Sequence, residues 1–140
     1  QLWHFDREDQ YILKIFVYLK DVEIGTGPFT YAPGTHRKGP HWNRKPESFT
    51  ENNVLRTTDE QMNAVIPREK WITATGEKGT VVFADTRGYH KGGESRDDNR
   101  LMYTCMFTSP ASDSKRLLTY PTQHAVQHLN KQQRLALSVE

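Results

Sequence analysis

Short apolar segments with a two-residue period, separated by glycine and proline turns, constrain the fold of this chain most strongly. In residues 12–19 every second position on one face of an extended strand is apolar: Leu13, Ile15, Val17 and Leu19. Further strand-like segments are residues 29–32, 71–75, 80–84, 89–92 and 100–109. Helical segments do not alternate with these strands, so the pattern disfavours a doubly wound fold and predicts an all-β sandwich or barrel.

Two segments depart from the strand pattern. Residues 35–70 are charged and interrupted by prolines, which predicts an insertion with at most short helices, one of them at residues 59–65. Residues 110–140 form a tail in which 124–137 is rich in Gln, His, Leu, Lys and Arg and is expected to be helical. We therefore predict one domain over residues 1–140, with its core in 1–109.

The composition excludes several classes of protein. The formal net charge of +2 and the pI of 8.7 are too weak to indicate a nucleic-acid partner. No stretch approaches the roughly 20 apolar residues that a membrane-spanning helix needs. The single cysteine, Cys105, excludes an internal disulfide and a cysteine-built zinc site. We expect a cytoplasmic protein that acts on a small molecule, without nucleic-acid or membrane partners.

Three residues have the types and spacing of a metal site. His4 and Asp6 are two residues apart, so in a strand their side chains project to the same face. His90 follows another strand-like segment and is flanked by glycines that let backbone approach closely. Two histidines and one carboxylate form a facial triad, which leaves three positions of an iron(II) ion open. The pair alone is a weak signal, but the order His-x-Asp, then His, then Arg is far more specific.

Arg100 completes the pattern, ten residues after His90 and at the start of the next predicted strand. A 2-oxo acid chelates a metal through its keto and carboxylate oxygens, and dioxygen can take the third open position. The distal carboxylate of 2-oxoglutarate then needs a cation, and a planar guanidinium can bind it through two hydrogen bonds. The basic segment 35–45 is either a lid over an anionic substrate or a solvated loop.

The sequence resembles the phytanoyl-CoA dioxygenase family over most of residues 1–109. The resemblance lies in four segments: residues 1–6 (QLWHFD), 14–22 (KIFVYLKDV), 27–36 (GPFTYAPGTH) and 79–86, followed by His90 and Arg100. It implies a double-stranded β-helix, which is a jelly-roll barrel of the cupin type, and a dependence on iron(II), 2-oxoglutarate and dioxygen. By motif position, it implies His4, Asp6 and His90 as iron ligands and Arg100 as the 2-oxoglutarate anchor.

The resemblance also separates several expectations about activity. A halogenating relative would have a small residue in place of Asp6, so hydroxylation of a small-molecule or acyl substrate is expected. The chain begins three residues before His4, so we expect the barrel to lack its N-terminal elements and to expose a sheet edge that could pair with a second copy. The alternatives are a non-catalytic jelly-roll module that binds metal and a cupin-type metalloenzyme that does not use Arg100.

Overall fold

The computed structural model describes residues 1–51, 55–112 and 127–136, and most of its regular structure is β-sheet. The strands are β1 (Ile12–Tyr18), β2 (Phe29–Tyr31), β3 (Ile72–Ala74), β4 (Val81–Asp85), β5 (His90–Gly92) and β6 (Met102–Thr108). The helices are α1 (Glu47–Glu51), α2 (Asp59–Val65) and α3 (Lys131–Ala136), with a 3-10 turn at Arg68–Lys70. These elements agree with the predicted all-β class and with short helices in the insertion and the tail.

The strands form two antiparallel three-stranded sheets, with the orders β4-β1-β6 and β3-β2-β5. Within the described residues the sheets do not close into a barrel. They contact each other through their inner faces, where the rings of Phe16 and Phe29 lie 4.9 Å apart. Tyr18, Val22 and Ala84 are buried in the same apolar cluster. His90, a residue of the candidate site, begins β5 of the second sheet.

The face of β1 that is buried is not the one that the longest apolar alternation marks. Ile12, Phe16 and Tyr18 are buried, whereas Leu13 on the opposite face is exposed. The outer face carries further exposed apolar side chains from the two strands that flank β1, and they are Val81, Phe83, Tyr103 and Phe107. Lys14 stands on the inner face of β1 and interrupts the apolar pattern there, which explains why the outer face looks the more regular in the sequence.

A second apolar cluster joins the N-terminal segment to the insertion. Trp3 is fully buried and packs edge-on against Trp71, with ring centroids 4.6 Å apart. The Trp3 indole N–H donates to Asp59 Oδ1 at 2.7 Å, and Lys91 Nζ reaches the same oxygen at 2.5 Å. Because Asp59 begins α2, these bonds fix the start of that helix to the β5 strand.

Helix boundaries follow from capping side chains. Helix α2 has the bounds predicted from the sequence, and the Thr58 side chain accepts a hydrogen bond from the Gln61 N–H at its start. The tail helix begins later than predicted, at Lys131, because Asn130 and Gln133 exchange side-chain-to-backbone hydrogen bonds in a capping box. Residues 124–126 and 137 of that predicted helix lie outside the described residues. No helix in the described part of the chain is long and apolar enough to cross a membrane.

Candidate metal centre

His4 and His90 lie side by side because the segments that carry them form an antiparallel bridge. The His4 N–H donates to the His90 carbonyl at 3.0 Å, and the His90 N–H donates to the His4 carbonyl at 2.8 Å. Residues paired in this way project their side chains to the same face, and the two ring centroids are 4.5 Å apart. Residues 3–6, expected to be a strand, form only isolated bridges, yet the backbone pairing still brings the two imidazoles together.

Asp6 joins the two histidines from the next same-facing position of the N-terminal segment. Its N–H donates to the Thr86 carbonyl at 2.9 Å, and its Oδ1 lies 3.8 Å from His90 Nε2. One ligand atom from each of His4, Asp6 and His90 lies within 4.8 Å of the other two, the only such group of metal-binding side chains in the described part of the chain. Two imidazoles and one carboxylate suit iron(II) and leave one side of the ion open.

Hydrogen bonds to backbone carbonyls orient both imidazole rings. Nδ1 of His90 lies 3.0 Å from the Gly88 carbonyl, and Nδ1 of His4 lies 3.0 Å from the Leu2 carbonyl. We assign the proton to Nδ1 in each ring, because a carbonyl oxygen can only accept, and Nε2 is then free to bind a metal. Burial lowers the pKa of His90 to about 4, so this ring is neutral at pH 7 and available as a ligand.

The Asp6 carboxylate is stabilised in its charged form. Burial alone would raise its pKa, but the Lys14 ammonium, the Thr86 hydroxyl and His90 together lower the pKa below its ordinary value. Lys14 Nζ lies 2.6 Å from Asp6 Oδ2. The site therefore offers an ionised carboxylate and a neutral imidazole at neutral pH, which is the protonation state that a divalent metal requires.

Arg100 lies on the same side of β5 as His90. Its Nη1 donates to the Gly27 carbonyl, and a Cβ atom at Gly92 would lie 3.0 Å from its Nη2. Gly92 follows His90 by two residues in the strand, so both positions face the same way. The missing side chain at Gly92 makes room for the guanidinium. Arg100 is half-buried, and burial lowers its pKa because the charged guanidinium loses hydration. An anion bound beside it would stabilise that charge.

Reasoning from the sequence misses two cations beside Asp6. Lys14 has no signal in the sequence, because the apolar alternation marks the opposite face of β1 as the buried one. Arg87 has none either, since it lies in the turn before β5. Its Nη1 donates to the Asp6 backbone carbonyl at 2.9 Å, and its guanidinium lies 5.2 Å from the centre of the Phe5 ring. Arg87 therefore supports the backbone at Asp6 and leaves the carboxylate free.

A cavity of about 480 Å³ lies next to Asp6 along the chain. Its lining consists of residues 7–11, Arg87, Ser109 and Ala111. The basic segment 35–45 reaches the rim of this cavity. The Arg37 guanidinium lies 4.8 Å from the centre of the Tyr11 ring, and Arg87 lies 5.8 Å from the centre of the Trp42 ring. Two contacts thus join the segment to residues that line the cavity.

The family profile described as Phytanoyl-CoA dioxygenase (PhyH) matches residues 1–101. The chain belongs to this family. The matched region includes His4, Asp6, His90 and Arg100 and ends just before β6. Membership of the phytanoyl-CoA dioxygenase family makes this a protein of the iron(II)- and 2-oxoglutarate-dependent dioxygenase type, in agreement with a His-Asp-His cluster that could hold a metal. A search of curated proteins gives no match.

Proposed function

We propose that the chain carries the iron(II)- and 2-oxoglutarate-binding site of a dioxygenase that hydroxylates a small-molecule or acyl substrate. The observation that carries this proposal is the convergence of one ligand atom each from His4, Asp6 and His90 within 4.8 Å. Family membership supports iron as the metal, and the ionised Asp6 side chain supports hydroxylation rather than halogenation. The substrate would belong to a class with a C–H bond that can be placed beside the metal.

We further propose that the two sheets are opposite walls of a double-stranded β-helix. The chain passes repeatedly between them, since β1, β4 and β6 lie in one sheet and β2, β3 and β5 in the other. All pairings are antiparallel, as in a jelly roll. In this arrangement the metal ligands would come from one end of the barrel, and Arg100 would enter from the segment that leads into β6.

Each residue of the proposed site has a separate task. His4, Asp6 and His90 would hold iron(II), which, with 2-oxoglutarate bound, supplies the oxidising chemistry that couples decarboxylation to hydroxylation. Arg100 would bind the distal carboxylate of 2-oxoglutarate and so fix the 2-oxo acid in one orientation. The inner-face aromatic residues exclude water, because the His90 ring lies 5.4 Å from the Phe29 ring. No side chain needs to act as a general base.

The substrate would enter through the 480 Å³ cavity beside Asp6. This volume accommodates a metabolite-sized molecule or the reactive end of a longer acyl chain. The aromatic ring of Tyr11 and the stem of Arg87 offer apolar surface. The charged groups of the lining are the guanidinium groups of Arg7 and Arg87 and the carboxylates of Glu8 and Asp9, so they would suit a polar substrate of either charge. The basic segment 35–45 would then close over bound substrate.

An anaerobic titration of iron(II) and 2-oxoglutarate tests the proposal. We expect the visible charge-transfer band of the metal chelate in the wild type, a much weaker band in Arg100→Ala, and no iron binding in His90→Ala. Arg96→Ala is the matched control, because Arg96 is an exposed arginine four residues away, and it should leave the band unchanged. Iron binding without a band would favour a metal-binding module that does not use 2-oxoglutarate, and this outcome would contradict the proposed function.

A further inference from the structure

Lys14 is a charged residue on a face of β1 that is otherwise apolar. The residues that flank it on that face, Ile12 and Phe16, are both buried, and the Lys14 side chain itself is only 23% exposed. A lysine in such a place loses hydration, and the loss has to be offset by a partner of opposite charge. Its partner is Asp6, whose Oδ2 lies 2.6 Å from Lys14 Nζ.

The two oxygens of the Asp6 carboxylate face different groups. Oδ1 is the oxygen that lies 3.8 Å from His90 Nε2, whereas Oδ2 faces the Lys14 ammonium. Oδ2 is buried, and its contact with Lys14 is an ion pair. The other nearby cation, Arg87, donates to the Asp6 backbone carbonyl instead. Lys14 is therefore the cation that distinguishes the two carboxylate oxygens.

We propose that Lys14 is a positioning residue that keeps Asp6 a one-oxygen ligand of the metal. The inference rests on the proposed function, because it concerns the metal that His4, Asp6 and His90 would hold. A carboxylate can bind a metal through one oxygen or through both. An ammonium on Oδ2 competes with the metal for that oxygen and leaves Oδ1 as the ligand.

The number of open metal positions depends on this choice. A facial triad with a one-oxygen carboxylate leaves three positions, two for the 2-oxo acid and one for dioxygen. If Asp6 used both oxygens, it would occupy one of the three and compete with the 2-oxo acid. Lys14 also adds a positive charge next to the position that the dianionic 2-oxoglutarate would take, which favours its binding. Loss of the ammonium should therefore weaken 2-oxoglutarate binding through the metal geometry and through charge.

The test uses the cobalt(II) form of the protein, prepared without oxygen, with aspartate carboxyl groups labelled with carbon-13. Infrared difference spectra then report the separation between the antisymmetric and symmetric carboxylate stretches, which is wide for a one-oxygen ligand and narrow for a two-oxygen ligand. We expect a wide separation in the wild type and in Lys14→Arg, and a narrow one in Lys14→Met. Lys14→Gln carries the same expectation as Lys14→Met and replaces it if the methionine variant does not fold.

Lys20→Met is the matched control, because Lys20 forms an ion pair with Asp98 that is exposed and lies on another part of the chain. It should retain the wild-type spectrum and the wild-type affinity for 2-oxoglutarate. Lys14→Met should bind 2-oxoglutarate at least about tenfold more weakly, the usual effect of removing a partner of a metal ligand. An unchanged stretch separation in Lys14→Met, or a narrow one in the wild type, overturns the inference alone. A wild type that binds no cobalt(II) overturns the proposed function as well.

Discussion

Replacing Gly92 by alanine would test whether the Arg100 guanidinium occupies the position that 2-oxoglutarate requires. A Cβ atom at this position would lie 3.0 Å from Arg100 Nη2 and 2.8 Å from Gln1 Oε1, both closer than van der Waals contact. Both neighbours are ends of flexible side chains, so they can move and the fold should survive. The guanidinium would retreat and lose alignment with the distal carboxylate. A charge-assisted hydrogen bond contributes about 1.5–3 kcal/mol, so losing one should weaken 2-oxoglutarate binding about tenfold or more.

The assay is the anaerobic titration of 2-oxoglutarate into the iron(II) protein, repeated in Gly92→Ala, Arg100→Ala and the double variant. Affinity for iron(II) should not change, because the atoms nearest to the added Cβ belong to Gln1 and Arg100 and not to the three metal ligands. In the Arg100→Ala background the Gly92→Ala substitution should have no further effect, since both act through the same guanidinium. An equal loss of affinity with and without Arg100 would refute the reasoning, as would an unchanged affinity in the single variant Gly92→Ala.

Three further predictions concern stability and are measured by thermal or denaturant unfolding of the metal-free protein. Asp59→Asn should lower the free energy of unfolding by about 1–2 kcal/mol at pH 7, through loss of the bond to Lys91. The pKa of Asp59 is lowered in the folded state, so this stabilisation is present above 3.8, the ordinary value, and is lost as the pH falls through the lower pKa of the folded protein. A difference from wild type that persists below both pKa values would contradict this assignment. Met62→Ala should lower the free energy of unfolding by about 2–5 kcal/mol, since Met62 is fully buried and the substitution would leave a cavity in the core. A smaller loss would mean that the surrounding side chains move in to fill that space. Gly88→Ala should cost about 1–3 kcal/mol, because a Cβ there would lie 2.1 Å from Tyr31 Oη, and Tyr31→Phe should recover part of that loss.

The strand segments could be predicted because they combine two-residue periodicity with glycine and proline boundaries. Helix α2 could be predicted to the residue, since a threonine cap and two acidic residues open it. The buried face of β1 could not be predicted, because apolar residues occupy both faces and the only charge, Lys14, is neutralised by Asp6 from outside the strand. The pairing of the strands into two sheets could not be predicted from the sequence either, because strand register depends on contacts between segments that are far apart in the chain.

The candidate site was predictable to the extent that its residues follow a local pattern. His4 and Asp6 could be paired from their spacing, and His90 could be added because it follows a strand-like segment. The structure brings these three side chains together. The role of Gly92 could not be seen, since a glycine that makes room for a side chain has no signature until the neighbour is known. The same holds for Lys14, whose importance lies in a contact across eight residues rather than in a motif.

The buried Trp3, packed against the partly buried Trp71, gives this protein an internal optical reporter. Trp3 immediately precedes His4, is shielded from water, and rests against Trp71. The Lys91 ammonium lies 5.4 Å from the centre of the Trp3 ring. The ammonium and the Trp3 indole N–H both donate to the Asp59 carboxylate, so the indole has a fixed electrostatic environment. A transition-metal ion placed beside an indole quenches its fluorescence. The fall in emission would therefore follow the filling of the metal centre without any added dye, above a background from the exposed Trp42.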